Sequence, residues 1–171
     1  MSEAKYGDEF ITHEFDEAIA IQQAIVDGAE KLTTAHSRTQ SKALIKTALR
    51  DDTKFLKELR RLGKKHDATG KAEGVALALK NLMDETSQSA AEAPSESYEA
   101  HAVLINLKRK QQDSAAAMVK IAREQQDTEL RDAATEFGKV TKSSAQDLAD
   151  DLALFAVEIA TMEPARASAR A

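Results

Sequence analysis

Residues 11–63 read ITHEFDEAIAIQQAIVDGAEKLTTAHSRTQSKALIKTALRDDTKFLKELRRLG, and the spacing of their apolar side chains decides the fold. Ile11, Phe15, Ala18, Gln22, Ile25, Ala29 and Leu32 alternate by four and three. That is the period of a helix stripe facing other helices, so a first helix is expected from about Thr12 to His36. Ser37, Arg38 and Thr39 interrupt the stripe, with Thr39 a candidate N-cap. Ile45, Ala48, Asp52, Phe55, Leu59 and Leu62 resume it until Gly63, a residue suited to stopping a helix. So short a break between long helices implies an antiparallel hairpin.

The second half of the chain repeats this layout without a residue-level repeat. A helix from near Ser95 carries Ala100, Leu104, Leu107, Gln111, Met118 and Ile121. The polar run Glu124-Gln125-Gln126-Asp127 breaks it, and Asp127 or Thr128 can cap the next helix. Leu130, Ala134, Phe137, Thr141, Ser144, Leu148 and Phe155 form the last stripe, which continues to Ile159. Between the hairpins, residues 63–95 read as a long crossover with one small helix, roughly Lys71 to Thr86, burying Val75, Leu79, Leu82 and Met83. The expected organisation is an N-terminal arm (1–10), a single all-α four-helix-bundle domain (11–162) and a flexible tail (163–171). The tail has no apolar pattern.

Composition agrees with long helices and narrows the function classes. Gly (6) and Pro (2), the main helix breakers, are scarce, and aromatics are 4% with no Trp, so the core must be aliphatic and Ala-rich. The net charge of -5 comes from 24 basic and 29 acidic residues, a mixed surface that argues against general nucleic-acid binding. The absence of cysteine excludes disulfides, zinc-thiolate sites and thiol nucleophiles. No apolar run reaches membrane-spanning length, and Met1-Ser2-Glu3-Ala4-Lys5 lacks the pattern of a secretory signal. A cytoplasmic protein is expected.

Each stripe contains a polar residue where the pattern calls for an apolar one: Gln22, Asp52, Gln111 and Thr141 with Ser144. Gln22 and Asp52 are equidistant from a turn at Ser37, and Gln111 and Thr141 from a turn at Gln126, each roughly 22 Å along its helix. Four buried polar groups are thus expected at one level, mid-bundle.

The helix lengths, the crossover and this layer resemble the ferritin-like superfamily, especially its small YciF-like, stress-associated members. The resemblance implies an antiparallel bundle in which di-iron members place Glu on the first and third helices and Glu-x-x-His on the second and fourth. Carried over, those positions are Gln22, Asp52-Thr53-Lys54-Phe55, Gln111 and Thr141-Lys142-Ser143-Ser144. No Glu-x-x-His occurs in the chain, and Asp52 alone could bring negative charge. Two iron ions need several anionic oxygens and usually an imidazole each, so neither a metal nor another cofactor is expected, and the layer reads as a hydrogen-bonded network that fixes helix register.

Other candidates have simpler readings. His13, His36, His66 and His101 are dispersed, and His101 followed by Leu104-Ile105-Asn106-Leu107 lacks the Lys-Gly pattern of phosphotransfer bundles, leaving a boundary or surface histidine. Glu14, Asp16 and Glu17 suit the start of a helix, and Arg60-Arg61 with Lys64-Lys65 suits the end of one. Lys108-Arg109-Lys110 reads as a solvated face. The resulting expectation is a non-catalytic, stress-related structural or protein-interaction module, a homodimer with an unidentified protein partner, and no nucleic-acid or membrane partner. The alternatives are an iron-handling or oxidase protein with a degenerate site at Asp52 and Glu17 or Glu58, and a phosphorelay bundle using His101.

Overall fold

With few breakers in the chain, long stretches are free to coil. The computed structural model, which describes residues 3–162, contains five α-helices and no strand among them. They are α1 (Glu3–Ala35), α2 (Thr39–Gly63), α3 (Gly74–Ser89), α4 (Pro94–Glu124) and α5 (Thr128–Thr161), with a 3-10 turn at Lys64–His66 after α2. None of these helices is long and apolar enough to cross a membrane. α1 begins at Glu3 rather than near Thr12, so most of the segment expected as an arm is helical. The expected flexible tail, 163–171, lies outside the described residues.

α1 and α2 pair through the Ser37 turn, and α4 and α5 through a turn in which Gln126 takes a left-handed φ of 57°. The Asp127 side chain then caps α5 by accepting from the Leu130 N–H at 2.9 Å. The hairpins face each other with α1 antiparallel to α4, joined by Gln22–Gln111 in mid-bundle and Ser37–Ser97 at one end. α2 runs antiparallel to α5, joined by Ser41–Asp151 at one end and Arg61–Glu129 at the other. Buried apolar side chains form two clusters. One, around Ile25, Leu32, Ile45 and Leu104, lies toward the Ser37 end; the other, around Phe15, Leu59, Met118 and Phe137, lies toward the opposite end.

Expectations at both ends of α2 are refined. Thr39 lies inside α2 and does not cap it; Arg38 precedes the helix without a side-chain cap bond. Its guanidinium instead reaches across to Asp151 and to Glu158 at 2.9 Å on α5. α2 ends at Gly63 as expected, but with a right-handed φ of −60°; the left-handed residue comes later, at Asp67 with φ 55°. Packing is close at Gly63, where a Cβ would lie 3.0 Å from Ile19 Cδ1 and 3.2 Å from Ala68 Cβ.

The crossover helix starts at Gly74 instead of Lys71. Gly70 and Gly74 take positive φ (79° and 50°), and Asp16 Oδ1 accepts from the Thr69 and Gly70 N–H groups at 2.7 Å, pinning the loop before the helix. α3 lies on α1 and α4 and buries Ala76, Met83 and Ser87, whereas Val75 and Leu82 of the expected stripe point to solvent and Leu79 is half-buried. Gly28 makes room for this contact, because a Cβ there would sit 2.6 Å from Met83 Cγ.

Candidate functional site

Gln22, Asp52, Gln111 and Thr141 are all buried, and Ser144 is half-buried with its hydroxyl oxygen in the interior. Gln22, Asp52 and Gln111 share one hydrogen-bonded layer near the junction of the two apolar clusters. Gln111 Nε2 donates to Gln22 Oε1 at 2.9 Å and to the Ala18 carbonyl at 2.8 Å, while Gln22 Nε2 donates to the Asp52 carbonyl at 3.0 Å. These bonds tie α1, α2 and α4 together. Thr141 Oγ1, Ser144 Oγ and Gln111 Oε1 have no hydrogen-bond partner, so α5 contributes hydroxyls to the interior but none to the network.

The decisive member of the layer is Lys108. Its ammonium lies 2.6 Å from both carboxylate oxygens of Asp52, and the side chain is completely buried. This corrects the expectation of a solvated Lys108-Arg109-Lys110 face, which holds for Arg109 alone: Lys110 is half-buried and pairs with Glu17. A signal was available, because Leu104, Lys108 and Gln111 follow the four-and-three spacing of one helix face. Burial pushes the Asp52 carboxyl above the usual carboxylate range, with the Lys108 ammonium pulling in the opposite direction.

The layer does not fit a di-iron group. Its one carboxylate has both oxygens committed to an ammonium. Glu17 pairs with Lys110 and Glu58 with Arg61, so neither is free to join Asp52. Phe55, at the position a histidine would need, packs on Phe137 with ring centroids 4.9 Å apart. Among the described residues no three His, Asp or Glu side chains come together as a cation would require.

A second polar cluster lies at the Ser37 end. His36 and His101 are both fully buried, their rings edge-to-face at 5.3 Å, with Phe155 against His36 at 5.1 Å. His101 is therefore a core residue and not the boundary or surface histidine expected. α4 packs on α1, α3 and α5 at once, which buries more than one of its faces. His36 Nδ1 accepts the Arg38 N–H at 3.0 Å, whereas His36 Nε2 has no partner among the described residues and His101 has only the Leu148 backbone nearby, without good hydrogen-bond geometry. Desolvation lowers both imidazoles to about 4; His101 and Arg38 add to the effect at His36, and Asp151 opposes it at both rings. Of the other histidines, His13 is exposed and His66 stacks on Phe15 at 5.0 Å.

No protein-family model matches this chain, and comparison with curated proteins finds no significant relative.

Proposed function

We propose that the chain is a non-catalytic helical module of ferritin-like type, acting as a structural or protein-interaction element. The observation that carries this reading is the Asp52–Lys108 pair. A lysine ammonium paired with the one carboxylate of the mid-bundle layer supports it, since on this reading an organic cation would stand where di-iron bundles of that type hold inorganic ones. The helix directions agree with the same type: two antiparallel hairpins, with the first helix antiparallel to the third and the second to the fourth of the long helices. Such a layer fixes register, since slipping either hairpin by one turn would strand a buried charge. A stress-related role follows from the resemblance.

The phosphorelay reading loses its chemistry to burial. Phosphotransfer needs an imidazole nitrogen open to an incoming phosphoryl group, and His101 has none of its surface exposed. The experiment that tests the proposal is ferrous-iron reconstitution of the purified chain, followed by desalting and elemental analysis. The expected result is no retained iron. Stoichiometric iron that disappears in Asp52→Ala would overturn the reading and favour an iron-handling protein.

A further inference from the structure

Of the two grooves between the hairpins, α3 fills the one between α1 and α4, and the one between α2 and α5 is open. Charges of both signs line the open one, Arg50, Lys54 and Lys57 against Asp51, Glu136 and Asp147, so charge selects no occupant there. The groove within the second hairpin, between α4 and α5, is of one sign. It opens into a shallow cavity of about 440 Å³ whose lining contains Lys120 and Arg123 from α4, Lys139 and Lys142 from α5, and no carboxylate. All four cations are exposed, and none forms an ion pair among the described residues. The neighbouring carboxylates are engaged or turned away. Asp132 pairs with Arg131, and Glu136 lines the groove on the other side of α5. Asp113 and Glu124 each follow a lining residue, Gln112 and Arg123, by one position, which turns them about 100° around α4 from those two. Four unpaired cations on one face of a chain with a net charge of -5 concentrate positive potential locally.

The floor selects among anions. Ala115, Ala116, Val119 and Ala134 are small, and Gly138 lets the helices approach until a Cβ there would lie 3.3 Å from Ala115 Cβ. The groove thus offers no recess to a large apolar anchor. None of the exposed large apolar side chains lies on it, which disfavours a lipid surface, and no aromatic side chain lines it to stack a base. From Gln112 to Arg123 the lining runs roughly 16 Å along α4, the length of about five residues of extended chain. Gln112 and Thr135 offer hydrogen bonds to a backbone on that path. A short acidic protein segment matches the length, the small floor and the charge.

We propose that the α4–α5 groove docks a short acidic segment of a protein partner. The proposal rests on the interaction-module reading and names its surface. Carboxylates of the segment meet Lys120, Arg123, Lys139 and Lys142, while its backbone lies over the alanine floor.

The test titrates the full chain into a fluorescein-labelled peptide of alternating Glu and Ala, read by anisotropy at low ionic strength, beside a second peptide in which every Glu is Lys. Two variants carry the same change of charge at different places: Lys120→Glu with Lys142→Glu in the groove, and Lys54→Glu with Lys57→Glu on α2. All four positions are exposed, and circular dichroism checks that each variant keeps its fold. Should the groove reversal not fold, the neutral Lys120→Gln with Lys142→Gln replaces it, with the same direction of effect. Saturable one-to-one binding of the acidic peptide alone is expected, weakened roughly tenfold by the groove variant, less than about twofold by the α2 variant, and progressively by added salt. Absence of saturable binding, equal weakening by both variants, or equal binding of both peptides overturns the proposal. So does self-association lost only in the groove variant, which would put a second copy there, or binding of inorganic polyphosphate or anionic vesicles where the peptide fails. Iron retained through Asp52 would sink the module reading while leaving peptide binding unchanged, so the two failures are separable.

Discussion

The ammonium of Lys108, 2.6 Å from both oxygens of Asp52 with no solvent access, is the costliest group in the molecule to leave alone. Removing one partner of a buried pair exposes the other to the full penalty of an unpaired charge, about 3–5 kcal/mol, whereas exchanging both for apolar groups of similar size is often near neutral. Lys108→Met is therefore expected to lower stability by that amount in urea denaturation at neutral pH, and Asp52→Leu with Lys108→Met to recover most of it. The single variant should regain stability as the pH falls, because the buried Asp52 carboxyl, already pushed up by desolvation, then takes a proton. Loss of stability with no such recovery would refute this account. His36 and His101 behave in the opposite sense. Both are held near 4 in the fold against an ordinary value of 6.5, so the unfolded chain binds protons more readily between those limits. Their neutral packing is fully stabilising above pH 6.5 and is lost as the pH falls through 4. Replacing His101 with Leu should flatten that stretch of the stability profile; an unchanged slope would mean that the acid loss originates elsewhere.

Among the elements, α3 is the one whose placement depends most on a few contacts. It touches only α1 and α4, and its single large buried side chain, Met83, seats over Gly28. Truncation by Met83→Ala leaves a cavity with a cost of about 2–4 kcal/mol. The loss should appear as faster amide exchange across Gly74–Ser89 before it appears in the rest of the bundle. Uniform acceleration in all five helices would show instead that α3 folds and unfolds with the whole. α2 and α5 are held together differently: ion pairs at both ends, Arg38 to Asp151 and Arg61 to Glu129, bracket a middle with open cavities. α3 keeps Met83 and Leu79 of the stripe its sequence favoured but turns Val75 and Leu82 outward and Ala76 inward. Leucines occur on more than one of its faces, and the recess at Gly28, remote in sequence, selects the face carrying Met83.

At the scale of the whole molecule, the bundle is asymmetric, with one groove sealed by the crossover and the other open beside a basic helix. The helices, both hairpin turns and the level of the polar layer were legible in residues 11–159, because periodicity and turn chemistry are local and Gln22, Asp52, Gln111 and Thr141 interrupt otherwise apolar stripes. Lys108 was hidden among cations, and His36 and His101 among dispersed histidines, because burial is a property of a residue's neighbours and not of its own segment. α1 and α4 each touch three other helices, so they bury more faces than a single stripe reveals. The sequence by itself determined the long helices and the reversals between them. Only the tertiary structure decided which cation neutralises Asp52, which face of α3 is inward and which groove stays open, since each depends on side chains brought together from distant parts of the chain.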